Sequence, residues 1–271
     1  MKNLTTIKAL MHDAIQSTLE TIFAKDEFRS FGCRCNNPIH VALLPNIVSK
    51  MVTFEQCFAT TVASIWVELA RKICDVVYGK CTRAHRINGQ IPAERLRRIY
   101  EVVNRIGYPE QHALKIMPNW DNELEYILKG GGELLPTTVI ADIYVEKGST
   151  KHAFELKAPL PNSDQTKVSK EKLLKLYSMV EKPISSAFYA LPYNPYGKRE
   201  NYNWSFPARW FDMKADKVVL IGDEFWDFIG GKGTYQLFID EINKLGTEYK
   251  DRIYREYLGI DNHHAKGFEL K

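Results

Sequence analysis

An aspartate stands inside a β-branched run, Thr137-Thr138-Val139-Ile140-Ala141-Asp142-Ile143, and Glu155-Leu156-Lys157 follows shortly after, at the start of AFELKAPLPNSDQ. Glu155 and Lys157 are two residues apart, so on a strand they share a face. An aspartate within a strand is unfavourable unless it has a partner. Pairing the two runs as a hairpin brings Asp142 beside Glu155 at one edge of the sheet. Two converging carboxylates repel, and a divalent cation relieves the repulsion. A few oxygen ligands of this kind suit Mg²⁺, and the carbonyl of Leu156 can add another. Lys157 then faces a phosphate or a water. Phosphodiester hydrolysis uses these parts: a metal that neutralises the phosphate and acidifies a bound water, and a lysine that orients or deprotonates that water or stabilises the pentavalent charge. The plain alternative is a solvated strand face held weakly by cross-strand partners.

Regular elements must position these groups. Leu4, Ile7, Leu10, Met11, Ile15 and Leu19 predict a helix over 1–25. Phe54, Phe58, Val62, Ile65, Leu69, Ile73 and Val76 form one apolar stripe over 51–78, a long buried helix. KCTRAHRINGQ at 80–90 reads as a basic loop, and 92–106 as a helix with Pro92 in its first turn and Arg95, Arg97 and Arg98 on its outer face. After Gly130-Gly131-Gly132 the texture becomes β-branched. Strands are expected at 137–146, 152–157, 185–191 and 217–221, and a basic helix at 166–181. Further helices are expected over 235–245, with Thr234 as cap, and within 247–258. This order predicts one α/β domain over 1–271, mainly helical to residue 130 and catalytic from 131, with a central mixed sheet flanked by helices.

Composition limits the class. The net charge of +4 permits a polyanionic partner without requiring one. No run is long and apolar enough for a membrane helix, and the amino terminus lacks a signal-peptide core, so an intracellular, cytoplasmic protein is expected. Five cysteines do not suggest a disulfide framework. Cys57 and Cys74 read as core. Cys33, Cys35, Cys81 and His85 could make a zinc site, though their spacing favours ordinary thiols.

Asp142 with Glu155-Leu156-Lys157 resembles the PD-(D/E)xK nuclease motif, with Ala141 in place of its proline. The wider text, ELKAPLPNSDQTKVSKEKLLKLYSM, LPYNPYG, NWSFPARWFD and GDEFWDFIGGKGTY, resembles TdeIII-like Type II restriction endonucleases from about residue 50 onward. The resemblance implies a restriction-endonuclease-like core, Mg²⁺-dependent cleavage of double-stranded DNA at a short GC-rich palindrome of the GGNCC kind, and a homodimer. It also implies a metal-site glutamate from an upstream helix, Glu68 before Glu55. The plain alternative for Glu68 is pairing with Arg71 or Lys72. Gln165 is a candidate for holding a water or phosphate, against a capping loop that Asp164 would suit.

For DNA, the polar segment 193–210 offers Lys198, Arg199, Asn201, Tyr202, Asn203 and Arg209. Arginine pairs with guanine edges and asparagine with adenine. Lys167, Lys170, Lys172 and Lys175 are expected to face phosphates or solvent, and Arg83, His85 and Arg86 form a second DNA candidate. A structure-specific repair nuclease and a non-catalytic nucleic-acid-binding protein are the rival readings.

Overall fold

The computed structural model describes residues 2–24, 42–43, 45–107 and 117–258, which fall into two compact units. The first comprises 1–70 with 232–271, and the second comprises 71–231. The elements just before residue 130 belong to the second unit, with the sheet.

In the first unit, α1 (Lys2–Ala24) lies against α8 (Thr234–Arg252). Glu241, nearly inaccessible on α8, takes Lys8 at 3.3 Å and His12 at 3.0 Å from α1. At the other end Glu20 receives Tyr249 Oη and Arg252, and these donors hold its carboxyl below the usual range. Helix α2 runs Asn46–Tyr78, longer at its start than the apolar stripe predicts. The two helices expected over 235–258 are one α-helix followed by a π-helical turn, Ile253–Leu258. Gly233 is the N-cap of α8, and Thr234 is its buried first residue.

The second unit is built on a five-stranded mixed sheet in the order β1 (Cys81–Pro92), β2 (Leu134–Lys147), β3 (Thr150–Leu156), β4 (Ser186–Leu191) and β5 (Val219–Ile221). Strands β1 to β3 are antiparallel, and β3 to β5 are parallel. The basic stretch 80–90 is therefore a strand and not a loop. Its Ile87, Gly89 and Ile91 alternate with Arg86, Asn88 and Gln90, a period of two that the charges obscure. Pro92 closes that strand, and α3 (Ala93–Gly107) starts after it. The backbone N–H of Ala93 and of Glu94 donate to Glu133 and Gly131, so the glycine triplet caps this helix. A side chain on Gly130 would meet the Arg95 nitrogen at 2.9 Å, which explains a glycine there.

Helix α4 (Trp120–Leu128) was not evident in the pattern. Asn119 caps it by accepting from Asn122, and Glu123 reaches back to the Asn119 N–H at 3.1 Å. Helix α5 (Ser163–Ser178) follows β3, α6 (Ser205–Ala208) lies in the loop after β4, and α7 (Asp223–Gly230) follows β5. Ile99, Val102, Trp120, Leu173, Leu176 and Phe211 form one core with Ala153, Ala187 and Tyr189 of the sheet. The alternate strand positions, Phe154 and Phe188, stack on each other on the opposite face and meet Phe225 and Phe228 of α7 edge-on. Burying such rings contributes about 1.5–3 kcal/mol each.

Candidate active site

The β2–β3 register pairs Ile143 with Phe154, which carries Asp142 and Glu155 to the end of the ladder. They lie on the second and third strands of the sheet, not at its edge. Beyond this point β3 leaves β2. The β1–β2 ladder is also interrupted here: Ala84, opposite Asp142, takes a positive φ of 47° that non-glycine residues rarely adopt. The chain fork leaves the Asp142 carboxylate partly open, with its side chain 30% exposed.

Four donors organise the carboxylates. The Leu156 N–H donates to Asp142 Oδ2 at 3.1 Å. Lys157 Nζ lies 2.6 Å from Asp142 Oδ2 and 3.2 Å from Glu155 Oε2. Lys172 Nζ, from α5, reaches Glu155 Oε1 at 2.9 Å and Oε2 at 3.0 Å. Ser169 Oγ adds a contact to Glu155 Oε2 at 3.4 Å. Lys157 is fixed just past the strand by its own N–H on the Ala190 carbonyl, 3.0 Å away. Burial, then the Asp142 charge, pushes the Glu155 carboxyl up, and the two lysines only partly offset this. Burial alone would lower Lys157, but Glu155 and Asp142 outweigh it and hold its ammonium above the usual value.

The sequence brought Asp142, Glu155 and Lys157 together correctly. It missed Lys172 and Ser169, expected at the surface or not considered. Their signal was spacing: three apart on a helix, they share a face. Gln165 is exposed, and its backbone N–H caps on Asn162, not Asp164. Glu55 is exposed and Glu68 partly buried, both on the part of α2 that belongs to the first unit, while Arg71 pairs with Asp75 on the part that belongs to the second. Among the described residues no group of three or more His, Cys, Asp or Glu could hold a metal. Cys33 and Cys35 lie outside the described residues, as does the Cys57 side chain, while Cys74 is buried.

The expected DNA residues divide sharply. Arg199 is not a base reader in this fold, because its guanidinium is consumed internally. It donates to the carbonyls of Met213, Val219 and Asp216 and pairs with Glu224 at 2.9 Å. Tyr202 is buried and donates to Pro159 O. Lys170 is fully buried on Glu123 and the Trp210 carbonyl and cannot meet phosphate. Arg95 likewise is not on an outer face but ties α3 to Gly130 O and Ser178 O. Lys175 pairs with Glu171 at 2.6 Å. Lys198, Asn201, Asn203 and Arg209 are exposed, as are Arg83 and Arg86 on β1, and Lys167 lies partly buried over the Trp210 ring.

Comparison with known proteins gives the chain a family. Residues 4–246 match the family described as Type II restriction endonuclease, HinfI. The chain is 27% identical over 226 residues to Type II restriction enzyme HgiCII of Herpetosiphon aurantiacus, covering 82% of this chain and 81% of that one. It is 26% identical over 227 residues to HgiBI of the same organism, with the same coverage. A shorter match, 31% over 125 residues, links it to Type II restriction enzyme MjaII of Methanocaldococcus jannaschii and covers 41% of this chain and 34% of that enzyme.

Proposed function

Because the chain belongs to the HinfI family of Type II restriction endonucleases, enzymes that cut double-stranded DNA, we propose that Asp142 and Glu155 are its metal-binding carboxylates and Lys157 its phosphate-side lysine. The carrying observation is convergence. Both carboxylates already aim at one cation, the Lys157 ammonium. A small hard ion that keeps several waters fits this donor set, with the Leu156 carbonyl as a further oxygen, and Mg²⁺ is such an ion. When bound, it supplies charge neutralisation at the phosphate and a more acidic water.

The chain's own groups have separable roles. Asp142, on β2, is oriented by the Leu156 N–H. Glu155 is buried and anchored by Lys172 and Ser169. Lys157 offers three N–H donors, which orient a water and stabilise charge developing on the scissile phosphate. Gln165, exposed at the start of α5, is a further polar group for this centre. Lys167, Lys198, Asn201, Asn203, Arg209 and Arg83 supply backbone contacts. The target is a short GC-rich palindrome of the GGNCC kind, cut by a two-fold dimer.

Asp142→Ala or Glu155→Ala should reduce Mg²⁺-dependent cleavage by about a thousandfold or more. Duplex binding measured in Ca²⁺ should stay close to wild type, since Lys157 and Lys172 already balance the carboxylates. Wild-type cutting by either variant would sink the assignment.

A further inference from the structure

Past the fork at Asp142, β1 and β2 continue without β3. His85–Pro92 and Leu134–Ala141 make a two-stranded ribbon, since β3 pairs only with Ile143–Lys147. One face of the ribbon is buried through Ile87, Ile91, Val139 and Ala141. The other is open: Arg86, Asn88 and Gln90 are exposed and stand opposite Ile140, Thr138 and Pro136, themselves exposed. We propose that this open face reads base edges in the major groove of duplex DNA, with Arg86, Asn88 and Gln90 as the specificity-determining side chains. The inference rests on the endonuclease reading of Asp142 and Glu155.

Several observations converge on it. A two-stranded ribbon is one of the two elements the major groove admits. The residue types are those that discriminate bases: arginine for guanine, asparagine and glutamine for adenine, and the Thr138 and Ile140 methyl groups for thymine. No carboxylate belongs to these six positions. Two strand residues advance about 7 Å, and two base steps advance about the same. Arg86, Asn88 and Gln90 thus step along the duplex from the Asp142 row in units of about two base pairs. The ribbon is also held in advance. Thr138 Oγ1 donates to Asn88 Oδ1 at 2.8 Å, which fixes the amide across the ribbon through its oxygen. At its far end, Gln90 N–H donates to Glu181 Oε2 at 2.9 Å, and Val180 N–H donates to the Gln90 carbonyl at 3.0 Å. Pre-organisation of this kind lowers the ordering cost of binding. The loop at 193–210, by contrast, spends Arg199 and Tyr202 on its own fold.

The test uses the full chain and a duplex library with a randomised centre, selected in Ca²⁺ and sequenced. Wild type defines the preferred site. Arg86→Ala, Asn88→Ala and Gln90→Ala should each relax the preference at one or two positions. The ratio of site to random binding should fall about ten- to a hundredfold, with little change on random duplex. Equal weakening on every duplex would make these residues phosphate contacts and overturn the proposal, as would an unchanged preference. Loss of self-association by the same variants, with base preference intact, would make the ribbon a subunit contact and overturn it too. Asp142→Ala in parallel separates the premises: if it selects the wild-type site yet still cuts in Mg²⁺, the metal assignment fails while the ribbon's role stands.

Discussion

Helix α5 carries two lysines, two residues apart, that meet opposite environments. Lys170 turns inward to a sealed cluster. Its Nζ sits 2.5 Å from Glu123 Oε2 and from the Trp210 carbonyl, with no exposed side-chain surface. Lys172 turns to Glu155 at a site that opens to solvent through Asp142 and Lys157. The chemistry of the groups is the same, lysine against carboxylate. In both, burial is the largest influence on the carboxylate and raises it. The difference lies in access. Glu155 shares Lys157 with Asp142, whose side chain is 30% exposed. Glu123 also has a second acid near it, Asp216, but its lysine has no exposed surface and lies against Phe211 and the Trp210 carbonyl. The two lysine–glutamate pairs therefore differ in their opening to solvent, not in the number of acids around them.

The sharpest way to break the comparison is to remove each lysine. Lys170→Met strands Glu123 in the interior and should cost about 3–5 kcal/mol of folding stability, read by urea denaturation. The double change Lys170→Met with Glu123→Leu should recover much of it. Lys172→Met should leave stability within about 1 kcal/mol, because that lysine is partly solvated, yet lower cleavage. Equal stability losses from the two would show that both clusters are scaffold.

Arg199→Ala extends the scaffold side. The side chain links the loop at 199–213 to β5 and α7. Its loss should cost about 2–3 kcal/mol. Binding to cognate and random duplexes should fall alike, and a selective loss at the cognate site would return Arg199 to base reading.

Titration distinguishes the sealed cluster more finely. Burial raises the Glu123 carboxyl, so the native state holds that proton more tightly than the unfolded chain does. Its stabilising contribution is complete below the ordinary carboxylate range and is lost as pH rises through the raised value. Glu123→Gln should flatten this limb of the stability–pH curve, whatever it does to the absolute stability. An unchanged slope would place the pH dependence elsewhere.

The smallest effect is expected beside the open site. Ala84 has a φ of 47° where the β1–β2 ladder skips Asp142. Ala84→Gly should relieve about 1–2 kcal/mol of left-handed strain against about 0.5–1 kcal/mol of added chain entropy, a net gain of about 0.5–1 kcal/mol. A loss of stability on thermal melting would show that the kink is imposed by its surroundings at no local cost.

Asp142, Glu155 and Lys157 were legible because a strand's period of two and a tight Gly148-Ser149 turn leave little freedom in how a hairpin pairs. The same local rules found the helices from 2 to 24 and 163 to 178, and four of the five strands. They failed at β1, where six basic or polar residues hid an alternating Ile87–Ile91 face that becomes apolar surface only against α3 and α5. They failed at α4, whose nine residues are too short to show a period. Arg199 and Lys170 show the deeper limit. Sequence gives a cation's type and its place on an element, but the acceptors that claim it come from distant segments: Met213, Val219 and Glu224 for one, Glu123 and Trp210 for the other. The meeting of Asp142, Glu155 and Lys157 was determined locally, by register. Which of the remaining charges are buried on partners and which stay exposed was decided by tertiary packing, because desolvation forces each buried charge to take a partner wherever the fold supplies one.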